Sequence, residues 1–127
     1  MSLAPFDVHA PGAWLRLGIA LVWLVFGLLF KALGAVPRHR EIVARVVGPA
    51  RAGATLWLVA LAEIGLGLWV LLGSFPVACA AVQTALIATM NTLELRRARD
   101  LLLSPVGMLC ANAVFLSLIW YAALAAH

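Results

Sequence analysis

Apolar positions fall into four long blocks, from about Ala13 to Ala35, Thr55 to Ser74, Pro76 to Leu95 and Pro105 to Ala125, with most of the charge between them. Each block matches the roughly 20 predominantly apolar residues that a helix needs to cross a bilayer core. Four transmembrane helices are therefore predicted. The third block is the least hydrophobic, because Gln83, Thr84, Thr89, Asn91, Thr92 and Glu94 interrupt it. Polar side chains inside a membrane face protein or a watery cavity, so this helix needs neighbours to cover it. The link between the second and third blocks is only a few residues around "GSF", and Pro76 suits the first turn of a helix. Those two helices should be antiparallel neighbours. The expected fold is an all-α integral membrane four-helix bundle with antiparallel up-down spans, one membrane domain over residues 1–127. The opening "MSLAPFDVHAPG" lacks the basic start and small-residue cleavage site of a signal peptide, so the first span is expected to stay attached.

The segment "VPRHREIVARVVGPAR" between the first two blocks has a different pattern. After Pro37 it reads as a short amphipathic cytoplasmic helix, with Ile42, Val43, Val46 and Val47 on one side and Arg38, Arg40 and Arg45 on the other; Gly48 and Pro49 stop it. Such a helix is expected to lie on the membrane surface as a headgroup anchor. The alternatives are a lid over the bundle interior or a docking site for a soluble partner.

Composition agrees with the pattern. Of 127 residues 65% are apolar and 11% charged, and mean hydropathy is +1.08; a soluble domain carries roughly a quarter charged residues. Arg38, Arg40, Arg45 and Arg51 lie between spans one and two and Arg96, Arg97 and Arg99 between spans three and four, whereas the opposite side has only Arg16 near the membrane. Basic residues in short loops stay cytoplasmic, so both long loops are expected inside and both termini outside. The net charge of +4 then implies contact with anionic lipid headgroups, worth about 1 kcal/mol per basic residue near the surface. No aromatic platform interleaves with these arginines, so nucleic acid is not an expected partner.

Cys79 and Cys110 fall near opposite ends of spans three and four, too far apart for a bridge that needs Cα atoms within about 7 Å. Both are expected to be buried, inert thiols. His9, His39 and His127 are scattered and offer no metal-ligand pair at helical spacing.

Depth arranges the remaining polar residues. Lys31 lies about one turn from the inner end of span one, and Glu63 roughly 12 Å up span two at 1.5 Å per residue. Asn91 and Glu94 lie in the inner half of span three, and Asn112 two turns into span four. They are expected to form one intramembrane polar cluster. Two readings fit it. Glu63 could pair with Lys31 or bond to Asn91 and Asn112 as structural glue, at around 0.6 kcal/mol per contact. It could also belong to a ligand or proton site, since an ionisable residue costs about 2.5 to 3.5 kcal/mol or more at a helix centre and is functional by default. Gly27, Gly65 and Gly67 remove bulk near the same level, for close packing or for a path to a pocket. Trp14, Trp57, Trp69 and Trp120 sit mostly toward span ends, as an aromatic belt requires, but Trp23 is near mid-span. Gly27 and Lys31 follow it at intervals of four, which puts all three on one helical face, where a flat ligand could stack or the indole could pack.

The run "IALVWLVFGLLFKALG" in the first span, the proline and basic loop after it, the acid beside glycines in the second span and "SPVGMLCAN" opening the last together resemble the DoxX-like family of small bacterial four-helix integral membrane proteins, over nearly the whole chain. Some relatives in that family are the membrane subunit of a thiosulfate:quinone oxidoreductase, and others are linked to redox or oxidative-stress complexes. The resemblance implies a place in the bacterial inner membrane and a role as membrane subunit, or as quinone- or lipid-contacting partner, of a redox system. No catalytic motif carries over. The chain has no haem, flavin or thiol motif of its own, so electrons would come from a soluble redox protein or pass directly to bound quinone. Two alternatives stand beside this: a small proton-coupled transporter using Glu63, and a lipid-binding scaffold. A homo-oligomer is compatible with each.

Overall fold

The computed structural model describes residues 12–32 and 37–125; residues 1–11, 33–36 and 126–127, with the side chains of residues 30–32, lie outside the described residues. These include the last three positions of the expected first span, His9, His127 and the side chain of Lys31.

The described residues form five α-helices: α1 (Ala13–Leu24), α2 (Pro37–Val47), α3 (Pro49–Leu72), α4 (Pro76–Arg97) and α5 (Pro105–Ala125). The described residues contain no strand. Proline opens four of the five, because its missing N–H costs nothing in the first turn and its fixed φ is already helical. Ser104 caps α5, its Oγ accepting the Gly107 N–H at 3.0 Å and its carbonyl the Met108 N–H at 2.8 Å. α1 does not end at Leu24; it continues as a π-helical segment, Val25–Ala32.

Three helices, α3, α4 and α5, are long and apolar enough to cross a membrane, and a shorter apolar stretch covers Ala13–Leu29. α3 starts six residues before the expected Thr55. The small residues Ala50, Ala52, Gly53 and Ala54 lengthen it past the apolar block, and Gly48 (φ +94°) is the only break between it and α2. At the other end Gly73 takes the left-handed conformation (φ +71°) and donates to the Trp69 carbonyl, a usual helix stop. Phe75 (φ +48°) then turns the chain into Pro76. α3 and α4 are thus antiparallel neighbours, but α3 packs most extensively on α1.

α1 lies between α3 and α5, and α4 packs on α5 and on α3, so the four long helices close into a ring. Ile19, Ala20, Trp23, Leu66, Val70, Cys79, Ala80, Ile87, Ile119 and Ala123 form the core, in the half of the bundle away from α2. Glycine permits the closest approach. A Cβ on Gly27 would meet the Ala60 carbonyl oxygen and Ile64 Cγ1 at 2.9 Å, and one on Gly67 would meet Leu24 Cγ at 2.8 Å and the Ala20 carbonyl oxygen at 3.1 Å. Both glycines seat α1 against α3, as small residues do between membrane helices; neither opens a path between them. Gly65 faces outward with nothing near it.

Outside this core the surface is apolar. Trp57, Leu58, Leu61, Leu68, Val114, Leu118, Tyr121 and Leu124 are all exposed, far more apolar surface than a water-soluble monomer leaves uncovered.

α2 corrects an expectation. Its apolar side does not face away from the protein: Ile42 is buried, and with Val43, Val46 and Val47 it lines the bundle interior. A helix resting on α3 and α4 has already used the face that a headgroup anchor would sink into lipid.

Candidate ligand-binding site

The half of the bundle under α2 holds a cavity of about 630 Å³ in place of a packed core. Trp23 and Phe26 come to it from span one, Glu63 from mid-α3, Ile87, Asn91 and Glu94 from one face of α4, and Asn112 and Phe115 from α5. Spacings of four and three put the α4 residues on that face. The walls are mainly apolar, with Val22, Val59, Met90 and Met108 among them.

Glu63 is 1% exposed. Its Cβ stands 3.1 Å from the position a Cβ on Gly27 would take, so the bare backbone of the π segment is what lets α1 close over it. Asn112 Nδ2 donates to Asn91 Oδ1 at 2.8 Å and ties α5 to α4. That bond uses one of the amide hydrogens of the pair, each amide carrying two. Trp23 is 3% exposed; its Nε1 donates to Gln83 Oε1 at 2.7 Å, and its ring lies 5.8 Å from that of Phe115 at 52°. At the opposite end His39 stacks on Phe26, with ring centroids 6.3 Å apart and planes 13° from parallel.

Five of the six residues expected to cluster, Trp23, Glu63, Asn91, Glu94 and Asn112, line this one cavity. The sixth, Lys31, has its side chain outside the described residues. Trp23 and Gly27 do not meet the same partners. The π segment widens the helical repeat just after Trp23, so the indole points to α4 and α5 while Gly27 sits on α3. π segments inside α-helices are frequent at functional sites.

The arginines of α2 divide. Arg38 lines the cavity beside His39. Arg40 lies over α3, its Nη1 3.4 Å from where a Cβ on Gly53 would stand. Arg45 forms a two-point ion pair with Asp100 in the short 3₁₀ turn Arg99–Leu101, Nη1–Oδ1 2.7 Å and Nη2–Oδ2 3.1 Å. The hydrogen bond from Arg45 lowers the Asp100 pKa, and the same bond raises that of Arg45. This pair fastens α2 to the connection between α4 and α5.

Gln83, Asp100 and His39 have structural roles that residue types and spacing did not reveal. Gln83 was visible only as a polar break in span three. Beyond it, on the far side of Trp23, lies a second cavity of about 40 Å³ bordered by Arg16, Trp69, Gly73, Cys79 and Gln83. Cys79 is buried, but Cys110 is exposed on α5, which corrects its expected burial: among the described residues no helix covers the outward face of α5. Among the described residues no three His, Cys, Asp or Glu side chains gather as metal ligands would.

Long apolar helices with an apolar outer surface and a partly polar interior define the class, a small helical membrane protein. Residues 20–120 match the DoxX-like family, and the chain belongs to it. No curated protein and no solved structure matches the chain.

Proposed function

We propose that this protein is a four-helix, multi-pass component of the bacterial inner membrane that holds a quinone-like head in its cavity and serves a redox system as its membrane partner. The arginine-rich connections face the cytoplasm and both termini face outward. The cavity carries the reading. Sites for small molecules are mostly apolar clefts of about 300–1,000 Å³ with a few convergent polar groups, and here the Asn91–Asn112 pair and the carboxyl groups of Glu63 and Glu94 converge between aromatic and aliphatic walls. The residues fit a flat ring bearing two carbonyl oxygens: the amide hydrogens of Asn91 and Asn112 are donors, and Trp23 and Phe115 supply ring faces. Bound there, a quinone would accept electrons from a soluble partner protein, and Glu63 is placed to hold or pass a proton.

The test is binding in nanodiscs of 2,3-dimethyl-1,4-naphthoquinone, which has no free ring position for a thiol to attack, followed by tryptophan quenching. Wild type should show saturable quenching. Asn91→Leu/Asn112→Leu, which removes both amides together, should weaken it at least tenfold, and Trp23→Phe should remove most of the signal. Quenching that only rises linearly with probe would mean partition into lipid and would end this reading.

One observation favours a second reading. The Trp23–Gln83 bond is the partition between cavities in the two halves of the bundle, a layout that suits a proton-coupled transporter with Glu63 as the coupling acid. Proton uptake by proteoliposomes that disappears in Glu63→Gln, without quinone binding, would select it.

A further inference from the structure

Where the large cavity opens says what kind of molecule enters it. The boundary between α1 and α3 is shut by the close contacts at Gly27 and Gly67. α2 lies across α3 and α4, presents Ile42, Val43 and Val46 to the interior, and is fastened by the Arg45–Asp100 pair. The Asn112–Asn91 bond joins α4 to α5. One boundary is different. α1 packs on α5, but the π segment that continues it packs on α3 and α2 instead, so span one and α5 part company in the half that holds the cavity.

The residues on either side of that gap line the cavity and are exposed at once: Val22 and Phe26 on span one, Gly107 and Ala111 on α5, with Leu103 just before it. Such residues facing each other from two helices that have parted mark a mouth; Leu93 also lines the cavity and is exposed, but it is the one such residue on α4. The mouth is apolar along both helices, with the exposed Ser104 at its end beside Leu103. Val22 and Phe26 stand near mid-span, and Ala111 is in the second turn of α5, so the mouth faces the hydrocarbon of the bilayer. The polar amides of Asn91 and Asn112 are on the α4–α5 wall behind it.

We propose that the gap between the π segment and α5 is a lateral portal, and that the ligand is an amphiphile whose flat polar head lies against the Asn91–Asn112 pair while its long hydrocarbon tail leaves through the portal into the membrane. This rests on the quinone-like head proposed above and adds that the natural ligand is a lipid-tailed form of it, arriving from the bilayer. Helix order alone does not require such an opening; it follows from the widened turn after Trp23, which carries span one toward α3 and away from α5.

Two probes with the same head separate the claims: 2,3-dimethyl-1,4-naphthoquinone, which has no tail, and 2-methyl-1,4-naphthoquinone carrying a geranylgeranyl tail at position 3. Ala111→Phe and Val22→Phe narrow the portal from opposite helices at exposed positions. The tailless probe should still bind both variants saturably, which shows that they are folded, and should lose only a small part of the affinity that the tailed probe loses. The tailed probe should bind wild type at least tenfold more tightly than either variant. Equal loss of both probes, or no loss of either, overturns the portal. If neither probe binds wild type saturably, the head site itself is refuted and the portal with it.

Discussion

Replacing Gly27 by alanine adds one methyl group where α1 and α3 touch, and the geometry sets the result. The new Cβ would stand 2.9 Å from the Ala60 carbonyl oxygen and Ile64 Cγ1, and 3.1 Å from Glu63 Cβ. Carbon atoms prefer roughly 3.5–4.0 Å, so the helices must separate locally by about half an ångström or more, and a backbone carbonyl cannot rotate aside as a side chain can. A gap of that size forfeits about a quarter or more of each dispersion contact along the seam; overpacking of this kind costs about 1–3 kcal/mol. Alanine returns about 0.5–1 kcal/mol over glycine inside a helix. The net expectation is destabilisation of about 1 kcal/mol, within a span of about 0–2.5 kcal/mol. Gly65 is the internal control: its Cβ would meet nothing, so Gly65→Ala should be neutral or stabilising by about 0.5–1 kcal/mol. Gly67→Ala should fall between them, since part of its clash is with the Leu24 side chain. Unfolding in mixed micelles by denaturing detergent, followed by helical circular dichroism, measures all three. Equal stabilities for Gly27→Ala and Gly65→Ala would refute the close contact and, with it, the seating of the π segment over Glu63.

The buried Trp23–Gln83 bond should appear as coupling: Trp23→Phe and Gln83→Leu each leave a polar atom unmatched, and the double variant should be more stable than their sum predicts by about 0.6–1.7 kcal/mol, with zero coupling refuting the bond. The Arg45–Asp100 pair should hold α2 in place, as read by the mobility of a spin label at Glu41→Cys in a Cys110→Ser background; Asp100→Asn should free it, and high salt should weaken the wild-type restraint. Because folding lowers the Asp100 pKa, the restraint should be full above the ordinary carboxylate value of about 3.9 and fade as pH falls through the depressed folded value, while Asp100→Asn shows no such dependence. Orientation is checked in intact cells with an impermeant maleimide, again with Cys110→Ser. Ser2→Cys should be labelled and Arg97→Cys protected, and the opposite pattern inverts the topology.

Much of the fold was legible because a bilayer imposes length. The apolar blocks gave α4 and α5 nearly to the residue, and proline placed the helix starts. Hydropathy could not find the true start of α3, where the helix formers Ala50, Ala52 and Ala54 alternate with Arg51 and Gly53 and carry little apolar signal. The π segment was illegible for another reason. "VFGLLFKA" is apolar on nearly every side, so no alternation exists from which a change of helical repeat could be read. The pattern of α2 showed which side is apolar but not which way that side turns; lipid and a hollow bundle are equally good solvents for valine. The site followed the same division. Depth along each span brought Trp23, Glu63, Asn91, Glu94 and Asn112 to one level, whereas the partners of Gln83 and Asp100 come from distant segments.

α4 shows why glue and site need not compete as explanations for polar residues in one span. Its polar positions divide within two turns. Gln83 and Thr84 accept the indole N–H groups of Trp23 and Trp120 at 2.7 and 2.9 Å, and the Thr84 hydroxyl donates in turn to the Ala80 carbonyl. In hydrocarbon a buried donor without an acceptor costs several kcal/mol, so a bundle that turns Trp23 of α1 and Trp120 of α5 toward α4 needs acceptors there. They fix its register against α1 and α5. Two turns on, Asn91 and Glu94 border the open volume instead. Trp23 belongs to both halves: its N–H is held by the packed half and its ring bounds the cavity. The low hydropathy of α4 thus has two physical origins, one on each side of that indole, and the Asn91–Asn112 bond extends the α4–α5 register to the edge of the cavity without filling it.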